Sequence, residues 1–155
     1  MKTIKNTFML GKKVGNPQEI LASREKLNQN KRIQDLMIER NDFIGVLNTD
    51  LQFVMINKTK ILGQYLGSPN HGQRPGPLLN CSNYLNHPGR CGTNPDCSSC
   101  QLLSMLIKAT LYRGRHSGRV KLNLRNMTQG AYDTYFTYIE TLKIDGEEFF
   151  CLFMK

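Results

Sequence analysis

The chain has 155 residues, which is enough for one domain with a sizeable hydrophobic core. Its composition, 39% hydrophobic and 21% charged, is that of an ordinary soluble globular protein, and its net charge is +9. No apolar run approaches the roughly 20 residues of a membrane span, and the N-terminus lacks the small-residue cleavage site of a signal peptide. These features predict a cytoplasmic protein, and the positive charge favours phosphates or an acidic partner.

The N-terminal part is predicted to contain a flexible leader, residues 1–15, and one helix over residues 16–40. Asn16 is a typical N-cap, Pro17 suits the first helical position, and Glu19 is placed to return a hydrogen bond to the cap. The apolar residues of this helix form only a narrow stripe, so the helix needs a surface to lie against. We expect that surface to be the sheet of its own domain or a second copy of the chain.

The central segment is predicted to begin with a β-hairpin and then to become irregular. Asp42–Thr49 and Leu51–Ile56 are short runs of β-branched and aromatic residues split by a turn sequence. Asn57 is then expected to cap a short helix. The apolar members of that helix are Ile61, Leu62, Tyr65 and Leu66. Gly67–Pro77 has many glycines and prolines and no periodicity, which predicts a loop, and a helical pattern resumes over Ser99–Tyr112.

The C-terminal part is predicted to form three antiparallel strands, Gly118–Leu124, Tyr132–Ile144 and Glu148–Met154, with a tight turn at Asp145-Gly146. The last strand is apolar on both faces, so it needs cover on both sides. The domain core supplies one cover, and the N-terminal helix or a second subunit supplies the other, which predicts a homodimer. The predicted fold class is α+β, a five-stranded antiparallel sheet with helices between strands two and three and an additional N-terminal helix.

Four of the five cysteines, Cys81, Cys91, Cys97 and Cys100, fall within twenty residues and are here called the cysteine cluster. In a chain without a secretion signal, such clustering favours metal binding or redox chemistry over disulfides. A Cys-x-x-Cys pair places two sulfurs on one side of a turn, and two further thiolates complete a tetrahedron that suits zinc or an iron–sulfur cluster. Zinc is our first expectation and an iron–sulfur cluster the second. A transient redox pair of Cys97 with Cys100, or four ordinary reduced thiols, are the open alternatives.

Residues outside the cysteine cluster are weaker candidates for a metal ligand or a catalytic group. Cys151 lies in the middle of a predicted strand, where a free cysteine usually serves as a small buried apolar residue. His87 lies inside the cysteine-rich loop and is either an alternative ligand in place of one cysteine or, as is more usual, a solvated loop histidine. The sequence holds no nucleophile motif, P-loop, dinucleotide fingerprint or zinc-protease motif, and its acids are scattered. We therefore expect that the chain is not an enzyme.

The order of these elements resembles the PAS family. The resemblance is carried by the opening hairpin FIGVLNTDLQFVMIN, which ends at Asn57, and by the closing segment IDGEEFFCLFMK. It covers roughly residues 40–155, so residues 41–155 are expected to form a PAS-like domain with a cysteine-rich insertion at residues 67–100. The resemblance implies a sensory domain with a small-molecule pocket between the sheet and its helices. The candidate lining residues are Phe53, Met55, Leu62, Leu66, Leu106, Phe136, Tyr138 and Phe153. The alternative is that these residues simply belong to the hydrophobic core, as apolar residues at such spacings more often do.

The stretch GQRPGPLLNC…GRCGTNPDCSSC is similar to a subgroup of bacterial sensory-box domains that are often joined to histidine kinases. In these domains a Gly-x-Arg-Pro-Gly turn precedes one cysteine, and a Cys-Gly-Thr-x3-Cys-x2-Cys cluster follows. The matching residues are Gly72, Arg74, Pro75, Gly76, Cys81, Cys91, Gly92, Thr93, Cys97 and Cys100. By this resemblance the partner is a transmitter such as a histidine kinase. Because no transmitter follows Lys155, we expect the output on another polypeptide or on another part of a longer one.

The main alternative function is a zinc-stabilised adaptor that binds nucleic acid through a basic stretch, residues 98–132. That stretch contains six basic residues and no acidic residue. The residues are Lys108, Arg113, Arg115, Arg119, Lys121 and Arg125. A solvated basic face is the simpler interpretation, and no helix-turn-helix or RNA-binding signature accompanies it, so nucleic acid is not the expected partner.

Overall fold

The helices and strands of the chain are taken here from a computed structural model, which describes residues 16–39, 42–57, 60–61, 64–65, 72–79, 81, 91–92, 97, 99–122 and 133–155. The helices are α1 (Pro17–Asn28), α2 (Lys31–Glu39), α3 (Pro75–Leu79) and α4 (Gln101–Leu111). The strands are β1 (Phe43–Leu47), β2 (Phe53–Ile56), β3 (Lys60–Ile61), β4 (Gln64–Tyr65), β5 (Arg115–Leu122), β6 (Asp133–Ile144) and β7 (Glu147–Met154). Among these described residues, none of the helices combines the length and the apolar character that a membrane span requires.

Five strands form one antiparallel sheet in the order β2-β1-β7-β6-β5, and α3 and α4 lie between its second and third strands in the chain. The predicted PAS-like α+β fold class is therefore confirmed. The β6–β7 hairpin turns at Asp145-Gly146, where both residues have positive φ angles, 49° and 83°. That conformation is the one that an Asp-Gly pair favours in a two-residue hairpin loop.

The two faces of the sheet are covered by different parts of the chain. On the inner face, the buried side of α4 packs with the sheet around residues such as Leu106, Ile139 and Leu152. On the outer face, Ile20, Leu27 and Ile33 of the N-terminal helices join a second core. The sheet residues of this outer core are Val46, Val54, Phe149 and Cys151. Strand β7 is thus covered on both sides within one chain, because its alternate residues face the two cores.

The helical segment that the sequence predicts over residues 16–40 is divided into α1 and α2 by a break at Gln29-Asn30. The Asn16 side chain accepts a hydrogen bond from the Glu19 N–H at 2.9 Å and so caps α1 as predicted. Asn30 caps α2 in the same way, by accepting from the Ile33 N–H at 3.1 Å. The second cap accounts for the break, because an asparagine that bonds the backbone ahead of it starts a new helix.

Two predictions for the central segment are wrong. The short helix expected after Asn57 is replaced by the β3–β4 pair, in which Lys60 is opposite Tyr65 and Ile61 is opposite Gln64. Gly63 lies between the two strands in the sequence, and glycine disfavours a helix interior. The loop expected over Gly67–Pro77 contains the start of α3, whose first residue, Pro75, has the fixed φ angle that suits a first helical position.

Candidate functional site

Gly76 holds Cys81 and Cys91 close together. Its N–H donates a hydrogen bond to Sγ of Cys91 at 3.2 Å, and its carbonyl oxygen accepts one from the N–H of Cys81 at 2.9 Å. Because Gly76 lies in α3, this short helix provides the support for the first half of the cysteine cluster. The two cysteines are half-buried.

Cys97 and Cys100 lie at the N-terminus of α4. Cys100 is its N-cap, with Sγ accepting a hydrogen bond from the Leu103 N–H at 3.4 Å. The N–H of Cys100 donates to the carbonyl oxygen of Cys97 at 3.1 Å, which closes the Cys-x-x-Cys turn. Sγ of Cys97 accepts from the N–H of Gly92 at 3.3 Å, and Gly92 has a φ of 87°, a conformation that favours glycine.

The four thiols of the cysteine cluster are near enough for their charges to interact. The pKa of Cys91 is raised to about 12, mainly by burial; the neighbouring Cys97, Cys100 and Cys81 contribute to the rise, and the Gly76 N–H opposes it. Burial also raises the pKa of Cys100, with smaller contributions from Cys81 and Cys97. Neighbouring thiolates therefore oppose the ionisation of Cys91 and Cys100, and a cation among the four sulfurs would remove that opposition.

The donor set fits a soft metal ion. Backbone N–H groups that point at sulfur stabilise thiolates, and three of the four sulfurs accept such a bond, from Gly76, Gly92 and Leu103. Within the parts of the chain that the structure describes, no three His, Cys, Asp or Glu side chains stand in an arrangement ready to hold an ion. The cysteine sulfurs must therefore draw closer before they ligate one ion. The expected alternative ligand His87 lies outside the described residues.

Arg74 connects this cluster to the β1–β2 hairpin. Its side chain is only 6% exposed, and it donates from Nε to the carbonyl oxygen of Asp50 and from Nη1 to that of Cys91, both at 3.1 Å. A guanidinium suits this position because its rigid fork donates in two directions at once. Arg74 and Gly76 belong to the Gly-x-Arg-Pro-Gly motif, but the motif does not predict what either residue binds. Their hydrogen-bond partners depend on how the loop folds.

Cys151 lies apart from the cluster, in the outer core at the middle of β7. The pKa of its thiol is raised to about 12, mainly by burial; the neighbouring Glu140 contributes to the rise, and Arg32 opposes it. A thiol in this environment is protonated at neutral pH and has little nucleophilic or ligating character.

The eight residues expected to line a ligand pocket do not converge. Phe53 and Leu106 belong to the inner core, whereas Met55 and Phe153 pack against the outer one. A β-bulge separates Phe53 from Met55, because Val46 pairs with Met55 but the next residue of β1 pairs with Phe53. Simple alternation along β2 would have placed both side chains on one face. Leu62 and Leu66 lie outside the described residues.

Three of the eight, Phe136, Tyr138 and Phe153, do lie together on the outer face. The rings of Tyr138 and Phe153 meet edge to face with centroids 5.4 Å apart. With α2 they line a cleft of about 1180 Å³. Its charged lining residues are Lys31, Arg32, Asp35, Asp42, Arg115, Glu140 and Lys155. The sequence did not identify this cleft, because it depends on how α2 crosses the sheet.

Comparisons with known proteins assign no family to the chain. No protein-family model matches it, and no curated protein matches it. Among solved structures it is similar to the crystal structure of the PAS domain of an HTR-like protein from Haloarcula marismortui. The identity is 12%, the match covers 86% of this chain and 96% of that chain, and the TM-score is 0.40. The assignment to a PAS-like fold rests on the strand order of the sheet itself.

Proposed function

We propose that this chain is a sensory or regulatory PAS domain of bacterial signal transduction in which the cysteine cluster binds a metal. The observation that supports the proposal is the set of N–H to sulfur hydrogen bonds from Gly76, Gly92 and Leu103. Backbone donors aimed at three thiol sulfurs in one region suit thiolate ligands, and ordinary buried thiols do not need them. Zinc is the ion that we propose first, and an iron–sulfur cluster is the alternative.

The proposed role of the metal is to order residues 67–100. This segment is rich in glycine and proline and has little apolar material to form a core of its own. Metal binding supplies folding free energy to such a segment directly. If the group is an iron–sulfur cluster, its loss would release the segment and so report redox state. Arg74 would pass that change to the β1–β2 hairpin through its bonds to Asp50 and Cys91.

The proposed output is to a cytoplasmic transmitter such as a histidine kinase, without catalytic chemistry in this chain. We also propose that the chain works as a homodimer through its N-terminal helices. Two large apolar side chains on α1 and α2 support this, since Leu21 is 51% exposed and Ile38 is 81% exposed. In the part of the chain that the structure describes, a small-molecule ligand of the sensory domain would fit the outer cleft on its α2 side.

The deciding experiment is metal analysis and absorbance spectroscopy of protein purified without oxygen or chelator. About one zinc per chain, or iron with visible absorbance, is expected. Replacing Cys97 and Cys100 by Ser should abolish the metal content and leave the sheet folded. Cys151→Ser is the matched control and should keep the metal. Equal metal content in both variants would refute the ligand assignment.

The dimer is tested with substitutions that leave the cores intact. Leu21→Glu and Ile38→Glu change exposed positions, so the fold should persist while the dimer dissociates. Sedimentation of the full chain measures the change. Lys31→Glu, a substitution at an exposed position of α2, is the control for altered charge. A chain that is monomeric before any substitution would overturn the dimer proposal.

A further inference from the structure

On the outer face of the sheet, the described residues leave an aromatic side chain of β6 open to solvent. The N-terminal helices pack over residues of β1, β2 and β7, such as Val46, Val54 and Phe149. On β6, the ring of Phe136 is 49% exposed. Aromatic side chains are enriched at contact surfaces relative to the rest of a protein surface, so Phe136 beside the cleft is a candidate contact for a partner.

Cations stand on both sides of this ring. Arg119 of β5 is the direct cross-strand partner of Phe136 and is exposed. On the other side, the backbone of Phe136 exchanges two hydrogen bonds with exposed Lys155, at 2.9 and 3.0 Å. Directly opposed residues of an antiparallel pair share one face, so the three side chains form one row across the sheet.

The next row of the same face supplies further aromatic surface. Ser117 is opposite Tyr138, and Tyr138 is opposite Phe153. Because Tyr138 follows Phe136 by two residues, the two rings lie on one side of β6. Phe136, Tyr138 and Phe153, flanked by Arg119 and Lys155, are called the aromatic platform below.

The charges at the platform favour an anionic partner. Two cations at the far end of the cleft are already paired, Arg115 with Glu140 at 3.5 Å and Lys31 with Asp35 at 3.4 Å. Arg119, Lys121 and Lys155 make no ion pair with any residue that the structure describes. The three carboxylates in the cleft are Asp35, Asp42 and Glu140. Arg119, Lys121 and Lys155 therefore form a line of positive charge along β5 and the row of Phe136.

We propose that the aromatic platform binds single-stranded nucleic acid. The exposed ring of Phe136 lets a base stack, the half-buried rings of Tyr138 and Phe153 extend the apolar surface beside it, and the flanking cations contact the phosphates of the same strand. A second copy of this chain fits the platform less well, because symmetric pairing would bring Arg119 and Lys155 towards their own counterparts in a chain of charge +9. The nucleic-acid adaptor considered from the sequence used the whole basic stretch at residues 98–132. The present proposal uses only the part of that stretch in β5 and adds the aromatic rings of β6 and β7. It does not depend on the metal site.

The test is binding of a fluorescein-labelled single-stranded RNA of about 12 uridines to the full chain, within the roughly 4–16 nucleotides that such surfaces cover. Fluorescence anisotropy is measured from about 50 to about 200 mM salt. Phe136→Ala should weaken binding about 5- to 150-fold, the factor for the loss of one stacked base, while Phe136→Tyr should retain it. Arg119→Ala should weaken binding and flatten the salt dependence by about 0.7 in the logarithmic slope.

Matched controls separate stacking from charge. Lys143→Ala removes one exposed cation from the other end of β6 and should leave the affinity within about twofold of the unchanged protein. Tyr112→Ala removes an exposed ring at the end of α4 and should also have no effect. The proposal is overturned if the chain does not bind, if Phe136→Ala binds like the unchanged protein, or if Lys143→Ala loses as much as Arg119→Ala. Burial of Phe136 in a solution dimer would overturn it as well.

Discussion

The N–H of Gly76 donates a hydrogen bond to Sγ of Cys91 at 3.2 Å. The carbonyl oxygen of the same glycine accepts from the N–H of Cys81 at 2.9 Å, so one peptide residue positions two members of the cysteine cluster. A backbone donor to a metal-bound thiolate lowers its charge density and fixes its direction, as the outer contacts of a metal site generally do. Gly76 is therefore expected to influence metal affinity although it is not a ligand.

Gly76→Pro should lower zinc affinity, because proline has no N–H to donate to Cys91. The expected loss is about 10- to 100-fold, the range for removing a group that orients a ligand. Gly76→Ala keeps the N–H and is the matched control. Competition with a chromophoric chelator measures both affinities. If the proline variant binds zinc as tightly as the alanine variant, the bond to Cys91 does not support the site.

Arg74→Lys should weaken the link between the β1–β2 hairpin and the cluster. A lysine has one ammonium group and does not reach the carbonyl oxygens of Asp50 and Cys91 in two directions. Since hydrogen bonds of charged groups contribute about 1.5–3 kcal/mol, the free energy of unfolding should fall by a similar amount in the zinc-loaded protein. Urea unfolding with zinc and with a chelator measures the loss in each state.

The control for Arg74 is Arg24→Lys. Arg24 donates to the carbonyl oxygen of Val54 at 3.2 Å, on the other side of the sheet from the cluster. This variant should lose the same stability with zinc and with a chelator. If Arg74→Lys behaves in that way too, Arg74 supports the fold without coupling the hairpin to the metal.

Much of the sheet could be predicted from the sequence because its strands carry strong local signals. The alternation in β6 and the Asp145-Gly146 turn identify the C-terminal hairpin without tertiary information. The β3–β4 pair and α3 were missed, since elements of two to five residues show no periodicity. The bulge in β2 was missed because it is defined by pairing with β1, and it alone places Phe53 and Met55 on opposite faces.

The cysteines of the candidate site could be predicted from the sequence, but the groups that support them could not. Cysteine spacing is a local property, so the members of the cluster were visible directly. The donors to sulfur are backbone groups of Gly76, Gly92 and Leu103, and every residue except proline has an N–H. Which N–H points at a thiol is decided by the fold of the loop. The outer cleft depends likewise on the packing of α2, which no sequence pattern records.

Glu147→Gln should destabilise the packing of α1 on the sheet in a pH-dependent way. Burial alone would raise the pKa of Glu147, but hydrogen bonds from Lys26 at 2.8 Å and Ser23 at 2.6 Å, and the charge of Lys26, lower it below its ordinary value. The stabilisation is then present above the unfolded pKa of about 4.3 and is lost as the pH falls through the folded pKa. Because the pair is partly exposed, we expect about 0.5–1 kcal/mol at neutral pH.

Urea unfolding at about pH 7 and about pH 3 measures the difference between the unchanged protein and Glu147→Gln. The difference should vanish at the acidic pH, where the carboxylate is protonated. Glu25→Gln removes the same charge from an exposed position of α1 and should change stability little at either pH. A difference for Glu147→Gln that is equal at both pH values would show that its carboxylate charge does not hold α1.

Gly45→Ala should destabilise the inner core, because β1 has no room for a methyl group at this position. An added Cβ would lie 2.7 Å from Cδ1 of Phe53 and 3.3 Å from Cζ of Phe43. Both rings are fully buried and meet edge to face with centroids 6.0 Å apart, so neither has space to withdraw. Overpacking of this kind costs about 1–3 kcal/mol in the free energy of unfolding.

A double-mutant cycle with Phe53→Leu tests that explanation. Leucine is smaller than phenylalanine, so Phe53→Leu alone should lose packing, and Gly45→Ala should cost less when leucine occupies position 53. Urea unfolding of the four proteins gives the interaction free energy between the two sites. If the two losses are additive, Phe53 is not what excludes a side chain at position 45. The cost would then come from the backbone of β1, and a Phe43→Leu cycle should also be additive.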